Sequence, residues 1–283
     1  MKKIIWYLLI SLFVTACATE KNTVDAVRKT PKFKLIPPGT VWLKDNIFID
    51  ISEVRNFDIL EFLHWNKRSI DSITYKSFLP DTQCWNKYDT KEAYENLYLR
   101  HPSFREYPAV GLTYKQAVEY CKWRTDRVNE YLIIKAKKLK KRDYINNYDT
   151  IVKLHKEIPD VIRYRLPTEE EWEYAANAGI KSNCGYESLV DKHKRPFMVT
   201  KEYRTIYHHD FFYEYTKDVR FGKPNKYGIY NMMGNVSEFV MDSTIVKGLN
   251  FDTYIDSNNI KSRFINEAPS VKIGFRCIAE IIK

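Results

Sequence analysis

Apolar residues change their spacing several times along this chain. Ile4 to Ala16 is an almost unbroken apolar run behind Met1-Lys2-Lys3, whereas Ala18 to Lys34 is polar and has no recurring apolar face. Leu35 to Asp50 reads as two short strands around a turn punctuated by Pro37-Pro38-Gly39. Phe57, Leu60 and Leu63 fall on one face of a helix over Phe57–Trp65. Asp71 to Tyr107 shows no period and predicts an irregular, aromatic-rich region. Thr113 and Gln116 form a capping box, in which the threonine hydroxyl accepts the residue-116 amide and the glutamine reaches back. Behind it Ala117, Cys121, Arg124 and Val128 share a helical face. Thr168 and Glu171 form a second box, with three glutamates suiting the helix dipole and Gly179 as the stop. Beyond Asn183 the helical period is lost, and short strands and loops are predicted as far as Cys277. Helices early and β-structure late predict a single α+β domain over residues 35–283.

The apolar start changes where such a domain is expected to work. It is about 13 residues long, short of the roughly 20 that cross a bilayer, and it ends in Val14-Thr15-Ala16-Cys17. A charged start, a short apolar core and small residues describe an export signal over residues 1–16. The cysteine that follows looks like a bacterial lipobox, which implies acylation of Cys17 and a lipidated tether over residues 17–34. The domain is thus expected outside the cytoplasm and held to a membrane through lipid on Cys17.

Net charge is +10, from 46 basic and 36 acidic residues, and it is spread along the chain. That favours anionic surfaces without marking a nucleic-acid site, and no nucleic-acid partner is expected. Lys135, Lys137, Lys138, Lys140, Lys141 and Arg142 concentrate part of it in a stretch at about 131–160. This reads either as a solvated helical insertion or as a contact for lipid headgroups or a partner.

Aside from Cys17, four cysteines remain: Cys84, Cys121, Cys184 and Cys277. In an exported chain an even number predicts two disulfides with three possible connectivities, or else buried thiols. His208-His209-Asp210 offers metal-ligand types, but neighbours in sequence do not easily face one ion, and an ordinary loop role is the alternative. The chain has no nucleophile elbow, phosphate-cradling glycine loop or zinc-protease motif.

Four segments, in order, resemble the sulfatase-modifying-factor family, whose founding activity is formylglycine generation. They are Phe48-Ile-Asp-Ile-Ser-Glu-Val-Arg-Asn56, then Tyr107 to Trp123, then Arg165-Leu-Pro-Thr-Glu-Glu-Glu-Trp-Glu-Tyr-Ala-Ala176, then Pro224 to Phe239, with Gly274-Phe-Arg-Cys277 as the close. The resemblance covers about Leu35 to Ile282 and implies a compact relative of the C-type lectin domain with much irregular structure. Pro80-Asp-Thr-Gln-Cys-Trp85, Tyr98 with His101-Pro102, and Trp123-Arg-Thr125 look like the gliding-motility and type IX secretion lipoproteins of Bacteroidetes. That subgroup implies an outer-membrane lipoprotein, on the periplasmic face, among envelope protein partners.

The family's oxidase uses two nearby cysteines, which bind copper(I), after a Gly-Gly-Ser turn. The corresponding stretch here, Val246 to Asn259, contains no cysteine and retains only Gly248 of the turn. Neither copper nor catalysis is therefore expected. The resemblance further implies a structural calcium ion at Asn231, Gly234, Val236 and Glu238, with hard oxygen donors. It also implies a Cys121–Cys277 disulfide, which leaves Cys84 and Cys184 as the remaining pair. The expected function is a non-catalytic lipoprotein in an envelope assembly for secretion or motility. Its aromatic stretch from about Phe78 to Tyr107 either makes the contact surface or fills the core. The alternatives are a divergent oxidase using His208 and His209, or a glycan- or peptidoglycan-binding module.

Overall fold

The computed structural model describes residues 31, 33–88, 93–140, 148–178, 200–201, 215–254 and 259–282. The chain divides into two compact units, Met1–Lys34 and Leu35–Lys283, and all the elements below belong to the second. Among the described residues no helix is long and apolar enough to cross a membrane.

Strands β1 (Thr40–Lys44) and β2 (Ile47–Asp50) form the expected hairpin, and the fourteen-residue helix α1 (Asn56–Ser69) follows. The predicted irregular region is a set of short pieces: α2 (Ser72–Ser77), a 3-10 turn over Thr82–Lys87, α3 (Ala93–Leu97) and a 3-10 turn over Pro102–Phe104. Helix α4 (Tyr114–Ala136) starts at the Thr113 box, where Thr113 Oγ1 accepts from Gln116 N at 3.3 Å and Gln116 Oε1 accepts from Thr113 N at 2.8 Å. It runs on through Lys135, so the basic stretch begins inside this helix. Helix α5 (Tyr148–Glu157) packs against α4, and residues 141–147 lie outside the described residues.

Strand β3 (Ile162–Arg165) precedes α6 (Glu169–Asn177), which is capped by Thr168 and Glu171. The helix ends at Asn177, beside the expected stop. Ala178 takes the left-handed turn at φ 47°, one residue before Gly179, which lies outside the described residues. Then come β4 (Ser237–Phe239), β5 (Ile245–Lys247), β6 (Arg263–Ile265), β7 (Ile273–Gly274) and β8 (Ile278–Ile281).

These strands make two four-stranded sheets. One has the order β1-β2-β8-β3 and is antiparallel throughout, so the last strand lies between the first hairpin and β3. The other has the order β6-β5-β4-β7, in which β4 and β7 run parallel. Helix α4 covers the free edge of β3 with side chains. Asn129 Oδ1 accepts from the amides of Val161 and Ile162, and Thr125 Oγ1 accepts from Tyr164 N at 2.8 Å. An edge strand satisfied in this way cannot recruit another chain.

Among the described residues, two apolar clusters bear on the site. The first joins Leu43 and Ile49 of the hairpin to Trp172 and Ala175 of α6 and to Met232, Leu249 and Ile278. The second is the aromatic region itself: Trp85 and Tyr98 are buried with Val236 and Phe251, and Tyr88, Tyr94, Phe104 and Tyr107 pack around them. Trp85 lies 4.8 Å from Tyr94 and 4.6 Å from Tyr98, centroid to centroid. The stretch read as either a contact surface or core filling is core, because its rings find apolar partners among themselves.

Gly248 allows β5 to turn back beneath α6. Its φ is +80°, and an added Cβ would sit 3.0 Å from Met232 O and 3.0 Å from a Trp172 ring carbon. Gly248→Ala is expected to destabilise the fold by about 2 kcal/mol or more. A lowered urea midpoint with an unchanged slope is the result that checks it.

Candidate functional site

Ionised side chains meet at the centre of the fold, where the four resembling segments converge. Glu238 of β4 and Arg276, between β7 and β8, are both essentially inaccessible. The guanidinium fork matches the carboxylate: Nη2 donates to Oε1 at 2.6 Å and Nε to Oε2 at 2.7 Å. Trp172 of α6 donates its indole N–H to the same Oε2 at 2.8 Å. Arg276 also donates to the carbonyls of Tyr230 at 2.8 Å and Asp50 at 3.3 Å.

Two further carboxylates surround this pair. Asp50 accepts both Nη1 and Nη2 of Arg124, at 2.7 and 2.9 Å, and the Cys277 amide at 2.9 Å. Glu53 is buried and accepts from Asn235 Nδ2 at 3.0 Å and Asn231 Nδ2 at 3.2 Å. Both asparagines sit at positive φ, 53° for Asn231 and 65° for Asn235, a conformation that asparagine tolerates better than most residues. Burial raises the Glu53 carboxyl from an ordinary 4.5 to about 8, with the Arg276 charge opposing and the Glu238 charge adding.

Two of the residues expected to hold calcium, Asn231 and Glu238, lie in this centre. Glu238 has both oxygens engaged by Arg276 and Trp172, and Asn231 turns its amide nitrogen to Glu53 and to the Val219 carbonyl. Of the residues expected to hold calcium, Glu238 is thus already engaged through both oxygens and Asn231 through its amide nitrogen. The cation beside Glu238 is a guanidinium. Among the described residues no group of three or more His, Cys, Asp or Glu is placed to hold a metal.

The stretch matching the family's oxidase loop is closed by packing. Lys247 is fully buried, with Nζ 2.8 Å from Glu173 and 3.1 Å from Glu169 on the first turns of α6. Leu249 and Phe251 are fully buried, one in each apolar cluster. Ser237 Oγ donates to Gly248 O at 2.9 Å, Asn250 Nδ2 donates to Ser237 Oγ at 3.0 Å, and Phe251 N donates to Asn235 O at 3.0 Å. Residues 246–254 thus offer neither a thiol nor an imidazole.

Of the cysteines, Cys121 and Cys277 are brought together. Both are buried, with their sulfurs 3.6 Å apart, and both are thiols in this structure, whereas a disulfide holds its sulfurs at about 2.05 Å. Burial and then the Cys121 thiol push Cys277 well above the ordinary thiol range. Cys84 is a half-buried thiol that donates to Asp81 O at 2.8 Å, and burial and then the Asp81 charge push it up to about 12. Neither has the character of a reactive thiolate. Cys17, Cys184, His208, His209 and Asp210 lie outside the described residues, and with them the Cys84–Cys184 pairing.

Sequence reasoning missed Glu53, Arg276, Lys247 and the Asp50–Arg124 pair. A signal was present for three of them: Asp50, Lys247 and Arg276 have apolar or small neighbours, in Ile49-Asp50-Ile51, Val246-Lys247-Gly248 and Phe275-Arg276-Cys277. Such residues are buried only when paired.

A model of the sulfatase-modifying factor enzyme 1-like domain matches residues 16–281. Inactive C-alpha-formylglycine-generating enzyme 2 of Mus musculus is 30% identical over 129 residues, which make up 40% of this chain and 42% of that protein. Chaperone protein LppX of Paenibacillus barcinonensis is 32% identical over 147 residues, 47% of this chain and 51% of that protein. The matches therefore span about half or less of these relatives. The solved Treponema denticola variable protein 1 aligns over 87% of this chain and 92% of its own, at 16% identity and a TM-score of 0.46.

Two outcomes follow from the buried centre. Arg276→Met leaves Glu238 charged and unpaired in the interior and is expected to lose about 3–5 kcal/mol, read by chemical denaturation. Glu53 binds its proton more tightly folded than unfolded, so its burial carries no penalty below pH 4.5. The penalty grows as pH rises through the window to about 8 and is constant above it. Glu53→Gln is expected to remove that decline, so the stability difference between variant and wild type should move in the variant's favour across the window.

Proposed function

The chain belongs to the sulfatase-modifying factor enzyme 1-like family, and on that premise we propose that it is a non-catalytic lipoprotein, a structural component of an envelope assembly for protein secretion or gliding motility. One observation carries the non-catalytic part. The stretch corresponding to the family's thiolate pair is occupied by buried Lys247, Leu249 and Phe251, which join α6 and both apolar clusters. Copper(I) oxidation needs soft ligands, and the sequence offers no cysteine between Val246 and Asn259. A relative named as an inactive formylglycine-generating enzyme is in keeping with this reading.

The envelope part rests on the leader and on the subgroup motifs. Cys17 behind Val14-Thr15-Ala16 supplies the lipid attachment, and residues 18–34 the tether. We place the domain at the outer membrane on the periplasmic side. Trp85 and Tyr98, two of the subgroup residues, anchor the aromatic core, so their role is to build the domain and not to touch a partner.

Purified protein given copper(I) and a cysteine-bearing sulfatase-type peptide is expected to bind no stoichiometric copper and to form no aldehyde. Formation of the aldehyde overturns the reading. Cys17→Ser is expected to abolish lipid labelling and release the protein from the membrane fraction. Crosslinked affinity purification from native envelope is expected to recover secretion or motility components, and recovery of none counts against the scaffold.

A further inference from the structure

The face between α1 and α4 bears a cleft of about 1000 Å³, separate from the buried centre and from the 246–254 stretch. Its floor is apolar: Phe57, Leu60 and Trp65 come from α1, Trp123 and Ile134 from α4, and Ile151 from α5. All but Ile151 are only partly buried, and Tyr131 stands beside them 57% exposed. The wall is set by contacts of its own. The Arg127 guanidinium lies 4.0 Å over the Trp65 ring and 2.8 Å from Glu130.

The rim is basic. Arg68 at the end of α1 and Arg105 after the Pro102–Phe104 turn are exposed, and among the described residues neither has an ion-pair partner. Arg127 is offset by Glu130, and the remaining lining carboxylate, Glu61, stands against the two arginines Arg68 and Arg105. Charge offered along the cleft is therefore positive. Aromatic and arginine side chains around an apolar floor are the composition of interface anchor points.

We infer that this cleft receives a short segment of a different protein, carrying apolar anchors for the floor and flanking carboxylates for Arg68 and Arg105. The inference rests on the scaffold reading and names its contact surface. A second copy of this chain fits poorly, because each carries a net charge of +10. An acidic partner gains steering from the same charge.

The test uses the full lipidated chain with Tyr131→p-benzoylphenylalanine, irradiated in native envelope, and Ile265→p-benzoylphenylalanine as an exposed control on β6. Position 131 is expected to crosslink to another protein, at a segment with apolar residues flanked by Asp or Glu, and position 265 is not. A synthetic copy of that segment should bind the purified protein, with affinity falling as salt rises. Leu60→Arg should weaken it about tenfold or more, as for a central anchor. Arg68→Glu with Arg105→Glu, both at exposed positions, should weaken binding and abolish its salt dependence, with the circular dichroism spectrum unchanged. A crosslink to a second copy, a glycan or a lipid, a segment without carboxylates, or no crosslink at position 131 overturns the inference. So does binding that is indifferent to the charge-reversed pair. If affinity purification recovers partners equally with the wild type and the charge-reversed pair, this cleft is refuted while the scaffold stands. If the wild type recovers none, the scaffold reading is what fails.

Discussion

A guanidinium and a carboxylate with no access to water hold this fold in one arrangement. Arg276 and Glu238 are worth little as a pair against an apolar replacement of the same shape, since desolvation offsets most of their attraction. Breaking the pair is another matter, because either charge alone is intolerable at that depth. The geometry must therefore satisfy both, and it does so with groups from distant parts of the chain. Trp172 comes from α6, the Asp50 carbonyl from the end of the first hairpin, and the Tyr230 carbonyl from the segment before β4. Strand β8 follows directly and lies between β2 and β3, so the same pair positions the strand that closes the first sheet. The specificity of the architecture resides in this requirement more than its stability does.

The stretch from Lys247 to Phe251 is held by pairing and packing. Lys247 pairs with two glutamates of α6, and Gly248 admits the Trp172 ring. Leu249 and Phe251 then enter the two cores. A loop used in this way is a structural seam between α6 and the second sheet. Among the described residues Cys121 and Cys277 are buried and Cys84 is half-buried, and burial raises Cys84 and Cys277 above the ordinary thiol range.

What the interior no longer needs to supply, the surface does. The rings between Phe78 and Tyr107 turn inward and complete the second core, removing the aromatic face that composition alone seemed to offer a partner. In its place the crossing of α1 and α4 leaves an apolar floor under a basic rim. Neither helix carries that surface by itself. It exists because α4 extends past the capped start for 23 residues and meets α5 as well as α1.

The sequence by itself determined whatever depends on a few neighbouring residues: the boxes at Thr113 and Thr168, the presence of helix α1, the family's ordered segments and the missing cysteine pair, whereas the buried face of α1 is Ile59, Phe62 and Leu63 and not the predicted Phe57, Leu60 and Leu63. Caps and helical spacing act within one or two turns, so their signals are local and survive translation into structure. Tertiary structure alone decided which charges meet and which aromatics are inside. Glu238 and Arg276 are 38 residues apart, and Asp50 and Arg124 are 74. Tertiary structure also put Glu238 under an arginine. Those outcomes depend on which buried groups find partners once the chain has closed on itself. No window of sequence contains both members of such a pair.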